Sequence, residues 1–194
     1  MTIEEIIGKL KEGNEKFVKD DLSHKNEDLA RRKDLVSGQD PFAIILSCAD
    51  SRVVPELAFN TGLGELFVAR VAGNVANTST IASIEYSVHV LKTKVIVVMG
   101  HESCGAVGAA MKGGDLGYNL NMLLAHVTPA LVAAEEGANV NDVVKINARL
   151  TAKELENRSD ILANAVKAGD LKIVPAYYNF ASGRVDFLEE EELS

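Results

Sequence analysis

The chain has no tryptophan, two cysteines and four prolines, and aromatic residues fill only 5% of its 194 positions. Two thiols close at most one disulfide, so a disulfide-stapled scaffold is excluded. No stretch approaches the roughly 18–20 apolar residues of a membrane span. Cations are scarce as well: 20 Lys and Arg stand against 28 Asp and Glu, a net charge of −8. Phosphate-rich partners need clustered Lys and Arg, so neither nucleic acid nor an anionic membrane is expected as a partner. The N-terminal MTIEEIIGKL has no basic segment ahead of a continuous apolar one. It reads against a secretory signal and for a soluble, cytoplasmic protein. Four of the acids form the run Glu189 to Glu192, expected to be a solvated tail.

What is present is an ordinary globular mixture, 47% hydrophobic and 25% charged, long enough for one domain with a sizeable core. Residues 2–18 predict an amphipathic helix. Thr2 and Glu5 have capping-box spacing, and Ile3, Ile6, Ile7, Leu10 and Phe17 recur with helical period. Such a stripe must pack on its own domain or on a neighbouring subunit. A polar helix is expected over about 26–37. Strands are expected at 42–47, 66–72, 94–100 and 171–180, and 184–188 follows Ser182-Gly183 as a hairpin partner. A helix fits 79–91, and 117–168 shows helical patterns without a strong strand signal. Near-continuous Val/Ile/Leu strands alternating with helices predict an α/β fold with a mainly parallel central sheet flanked by helices. No linker composition interrupts it. The expectation is a single domain over 1–194, with an N-terminal helical arm (1–37), an α/β core (38–194) and a C-terminal hairpin.

Ligands of open parallel sheets bind beyond the carboxyl ends of the strands. Two strands end there in reactive groups: Cys48-Ala-Asp50-Ser-Arg52 and Gly100-His101-Glu-Ser-Cys104-Gly105. If the two strands are neighbours, Cys48, His101 and Cys104 converge, and two thiolates with an imidazole suit zinc. A structural zinc site has four protein ligands and a catalytic one has three with an open position. The chain has no third cysteine, so the fourth group is Asp50, either as a ligand that closes the site or as a hydrogen-bond acceptor for metal-bound water. Arg52 is placed to pair with Asp50 and hold it off the metal. Gly105 would let backbone approach the metal, and a helix starting there would favour an anion.

Other readings use these residues less completely. Inert core thiols with a structural ion pair ignore the clustering at strand ends. A redox pair lacks a C-x-x-C spacing. A cysteine nucleophile activated by His101 leaves the second thiol and Asp50–Arg52 idle. His24, His89 and His126 lie in polar or helical contexts and read as surface or packing residues. The glycines of 62–67 match neither a dinucleotide nor a nucleotide-phosphate loop.

CADSR (48–52), GELFVARVAGN (64–74) and GHESCGAV (100–107) resemble the β-class carbonic anhydrases. The likeness extends to GNEKFV (13–18), IEYSV (84–88) and AYYNFASGRVDFL (176–188). It implies zinc-dependent, reversible hydration of carbon dioxide to bicarbonate and a proton, a lyase reaction in which zinc-bound hydroxide attacks CO2. Cys48, His101 and Cys104 would be the zinc ligands, and Asp50 with Arg52 the catalytic dyad. Hydrolysis of a CO2 analogue, carbonyl sulfide or carbon disulfide, is the alternative for the same site. The resemblance also implies a homodimer or homotetramer whose N-terminal arm wraps a neighbouring protomer. Ala49 replaces a common serine, RVAGN (70–74) is a variant spelling, and no glutamine precedes the second strand, where Asn60 is a weak substitute.

Overall fold

The computed structural model describes residues 1–188, so the acidic run at 189–192 lies outside it. Nine α-helices and five strands are found among the described residues. In chain order they are α1 (Ile3–Val18), α2 (Leu29–Asp34), β1 (Ala43–Ser47), α3 (Pro55–Ala58), β2 (Leu66–Arg70), α4 (Thr78–His89), β3 (Val95–His101) and α5 (Gly105–Lys112). There follow α6 (Tyr118–Ala125), α7 (Thr128–Ala133), α8 (Val140–Asn157), α9 (Asp160–Lys167), β4 (Lys172–Tyr178) and β5 (Val185–Phe187). The sheet order is β2-β1-β3-β4-β5, with the first four strands parallel and β5 antiparallel to β4. The fold class is therefore the expected one, and the hairpin partner of the fourth strand is in place.

Both faces of the central strands are covered, which is why β1 and β3 read as unbroken apolar runs. Ala43 and Ile45 of β1 and Val95, Val97 and Met99 of β3 face one core layer, with Ile6 and Leu10 of α1. Ile44, Leu46, Ile96 and Val98 face the other, with residues of α4, α8 and α9. Each fully buried Val, Leu or Ile contributes about 1.5–3 kcal/mol relative to exposure. The chain leaves β1 toward β2 on one side and returns over it to β3 on the other. The crevice at this reversal is where an open α/β sheet binds ligands.

Of the two partners open to the arm's stripe, the structure shows the one within the chain. The capping box at Thr2 and Glu5 is formed, but the apolar stripe of α1 packs on its own chain. Ile6 and Leu10 are buried in the first core layer, with Ile3, Ile7 and Phe17 against it. Asn14 donates to the carbonyls of Ala58 and Gly183 at 2.9 Å and accepts from Val185 N–H at 2.8 Å. These bonds satisfy backbone groups of the α3 end and the β4–β5 turn, so the helix completes its own domain. A neighbouring protomer is not needed to cover the stripe.

Smaller differences have local causes. The polar helix begins only after Asp28, whose carboxylate caps it by accepting from Arg31 N–H, and residues 35–37 tighten into a 3-10 turn. The second strand stops at Arg70, because 72–74 form a 3-10 turn with Gly73 in the left-handed region. The fourth strand ends at Tyr178, where Asn179 turns the chain by accepting from Ser182. The single turn of α3 starts with Pro55 at its first helical position, where proline's fixed φ suits a helix start.

Candidate metal centre

Ser47 of β1 lies opposite Met99 of β3, so the residues just beyond emerge side by side at the carboxyl edge. After Cys48 the chain turns sharply, with Val53 N–H donating to the Asp50 carbonyl. Arg70, the last residue of β2, pins this turn: Nε donates to the Cys48 carbonyl at 3.0 Å and Nη2 to the Asp50 carbonyl at 2.7 Å. Sequence reasoning did not single out Arg70. The available signal was a guanidinium ending an apolar strand.

β3 delivers His101, which is fully buried. Its Nδ1 lies 2.9 Å from the Glu102 carbonyl oxygen. A carbonyl only accepts, so Nδ1 carries a proton and Nε2, the position left for a ligand bond, faces the other way. The Glu102 carboxylate accepts from Phe180 N–H at 2.9 Å, and the Phe180 ring lies 5.3 Å from the imidazole. Ser103 then adopts φ 51°, its N–H donating to Asn141 Oδ1 at 2.8 Å. This reversal sets Cys104 at the N-terminus of α5.

The result is convergence. The ligating atoms of Cys48, His101 and Cys104 lie within 4.8 Å of one another, all three residues buried, and the two sulfurs are 4.0 Å apart. His101 Nε2 has no hydrogen-bond partner. Its separation of 4.0 Å from Asp50 Oδ2 is too long for a hydrogen bond. A buried imidazole nitrogen without a partner costs free energy, and a cation held jointly with two thiolates removes that cost. The Cys48 thiol is held well below its usual range, chiefly by the hydrogen bond from Cys104, against burial, with help from the Gly73 and Asp50 amides. Cys104 is pushed up by the same pairing and by burial, opposed by the amides of Val107 and Ala106. The pair alone thus keeps one proton between its two sulfurs. A soft donor set of two sulfurs and one nitrogen fits zinc.

Asp50 and Arg52 flank this cluster as a closed fork. Arg52 Nε donates to Oδ1 at 3.0 Å and Nη2 to Oδ2 at 2.8 Å, and the Arg52 N–H adds a third bond to Oδ1. These bonds hold the Asp50 carboxyl well below the usual carboxylate range. The guanidinium carbon Cζ lies over the Phe180 ring, 4.2 Å from its centre. The remaining candidates fall elsewhere. Asn60 accepts from Ser23 N–H and Oγ and so ties the segment after α1 to the turn after α3. His24 and His89 are exposed and His126 is half-buried. A Cβ at Gly105 would meet no protein atom within 4 Å, so packing within the chain does not require that glycine.

The chain was compared with known proteins. A family model described as carbonic anhydrase matches residues 43–185. A carbonic anhydrase of Mycolicibacterium smegmatis is 37% identical over 183 residues, covering 91% of this chain and 89% of that protein. Carbonic anhydrase 2 of Mycobacterium tuberculosis is 39% identical over 181 residues, covering 90% and 87%. Among solved structures, a Coccomyxa β-carbonic anhydrase in complex with acetazolamide superimposes with a TM-score of 0.76 at 26% identity, over 92% of this chain and 84% of that one. A tetrameric β-carbonic anhydrase of Sordaria macrospora gives a TM-score of 0.73 at 26% identity, over 82% and 86%. With the sheet order, the clustered Cys-His-Cys donors and relatives that span nearly its whole length, the chain belongs to the β-carbonic anhydrase family.

Proposed function

We infer that this chain catalyses the reversible hydration of carbon dioxide to bicarbonate and a proton, with zinc held by Cys48, His101 and Cys104. The observation that carries the reading is the buried convergence of two sulfurs and an unpartnered imidazole nitrogen beside a carboxylate locked by an arginine. Bound zinc supplies the Lewis acid that makes a nucleophile of water near neutral pH.

The chain's own residues do the rest. Glu102 fixes the His101 tautomer through its carbonyl, which keeps Nε2 a ligand. Arg70 holds the Cys48–Asp50 turn in one geometry. Asp50 stays ionised across the working pH range and is therefore an acceptor only. Oδ2 is the oxygen nearer His101 Nε2, so it is the atom that takes a hydrogen bond from the reacting water and orients it. Arg52 occupies both carboxylate oxygens. That fork supports an open centre with Asp50 outside the ligand set, and Asp50 as fourth ligand would require the fork to break.

The relatives compared above are carbonic anhydrases, and hydrolysis of a sulfur analogue of CO2 is not favoured. We propose further that the chain acts as one domain in the cytoplasm and assembles as a homodimer or homotetramer. The tetrameric relative supports assembly, as does β2, an edge strand whose free side borders a groove lined by Phe67, Val68, Ala69 and Arg70. Among the described residues no helix is long and apolar enough to cross a membrane.

Stopped-flow CO2 hydration against pH, on protein of measured zinc content, tests the function. One zinc per chain, with turnover lost together with zinc in Cys104→Ala, is the expected result. A Cys104→Ala protein with full activity, or purified protein free of zinc yet active, refutes it.

A further inference from the structure

Gly73 is gripped at both of its backbone polar groups. Its N–H donates to Cys48 Sγ at 3.3 Å, and its carbonyl accepts from Asn147 Nδ2 at 2.9 Å. Between them the residue sits at φ 73° and ψ 11°, left-handed backbone that glycine tolerates best. The 3-10 turn that contains it has no side-chain cap of its own. Asn147 comes from α8, the helix that packs across β3 and β4 at the sheet centre, and it is only 2% exposed. A buried amide on a rigid helix therefore fixes a turn that belongs to the sheet edge.

We propose that Asn147 is a positioning residue for the metal centre: by holding the Gly73 carbonyl it keeps Gly73 left-handed, aims its N–H at the Cys48 sulfur, and so sets how strongly that sulfur donates to zinc. The inference rests on Cys48 being a zinc ligand. An N–H bonded to a thiolate draws electron density from sulfur and restricts its direction, and outer partners of this kind tune the metals they never touch. Without the Asn147 amide the carbonyl is buried and unpaired, and the turn relaxes toward ordinary backbone. The Gly73 N–H then leaves the sulfur. Cys48 becomes a stronger electron donor to the metal but a less well directed one.

The test uses full-length protein. Zinc affinity is measured by chelator competition, and the sulfur-to-cobalt charge-transfer absorption is recorded after cobalt(II) replaces zinc. Asn147→Asp keeps the shape but cannot donate, and Asn147→Leu removes both polar atoms. Thr151→Val, one turn further along α8 and also buried, reports on general damage to that helix. Both Asn147 variants are expected to lose about 10–100-fold in zinc affinity and to move the charge-transfer band, whereas Thr151→Val moves neither. Should the Asn147 variants not fold, Gly73→Ala carries the same test. An added Cβ there comes no closer than 3.5 Å to its nearest neighbour, Ala106 Cβ, so its effect arises from the positive φ alone. An unmoved band with unchanged affinity in folded variants overturns the proposal, as does an equal shift in Thr151→Val. Full zinc content in Cys48→Ser would instead remove the ligand reading beneath it.

Discussion

Gly13 and Gly8 stand in the same helix and call for opposite outcomes on substitution by alanine. A Cβ at Gly13 would fall inside contact distance of the Phe59 carbonyl oxygen and 2.8 Å from its carbonyl carbon, whereas one at Gly8 would meet nothing within 4 Å. Neither Phe59 atom is the tip of a flexible side chain, so α1 must back away by about 1 Å, an overpacking strain of roughly 1–3 kcal/mol. That retreat stretches the three Asn14 hydrogen bonds, now 2.8–2.9 Å, past useful range, at about 1 kcal/mol each. Alanine returns about 1 kcal/mol in helix propensity. The expected net for Gly13→Ala is a loss of about 3–5 kcal/mol, and for Gly8→Ala a gain of about 0.5–1 kcal/mol. For a chain of this size these correspond to a Tm roughly 6–20 °C lower and about 1–4 °C higher. Thermal and urea unfolding at one fixed protein concentration reads both. If Gly13→Ala is as stable as the unsubstituted chain, α1 does not seat on Phe59 of its own domain, and the stripe belongs to another protomer after all.

Zinc uptake by metal-free protein near pH 7 should release about one proton per ion rather than two, because Cys48 is already a thiolate while Cys104 keeps its proton. Calorimetry in buffers of different ionisation enthalpy counts them, and a count of two shows both thiols protonated. Arg52→Ala breaks the fork and frees Asp50 to close the metal centre as a fourth ligand, so CO2 turnover at pH 7 should fall by about 100-fold with zinc retained; turnover near the original level would show that the fork has no role. The same variant carries a stability signature. The Asp50 carboxyl is depressed in the fold, so its stabilisation is present above the unfolded value of about 3.9 and is lost as pH falls through the folded one. The stability gap between Arg52→Ala and the parent should therefore be present at neutral pH and shrink below about pH 4. Gly100→Ala places a Cβ 2.7 Å from Val144 Cγ1; pushing α8 off β3 in this way should cost about 1–3 kcal/mol in urea unfolding.

The sheet was legible because β1 and β3 are buried on both faces and so carry unbroken, β-branched apolar runs too short for a buried helix. The three donor residues were legible for a related reason: cysteine and histidine at the ends of buried strands have few other uses. What the sequence did not show are contacts made through backbone atoms. The Gly73 N–H on the Cys48 sulfur, the Glu102 carbonyl that orients His101 and the Arg70 grip on the 48–50 turn all involve groups that any residue possesses. The partner of α1 was hidden differently. Periodicity shows that Ile6 and Leu10 must be covered but not by which copy of the chain. Asn60 shows the converse, a plausible side chain at a plausible position, already committed to Ser23.

The two sulfurs of the centre are 56 positions apart in the chain, on segments joined only through the β1–β3 crossover. A metal that bridges them is therefore also a cross-link. Treated as one, it closes a loop whose chain entropy is worth about 4 kcal/mol, the order of a native disulfide. Parallel strands joined by long crossovers are slow to find each other, since the loop must close before any contact rewards it. A chain with no disulfide to hold its sheet together thus has a reversible staple across one of its parallel seams. Stripping the ion should raise the rate at which that seam opens, and not merely halt turnover.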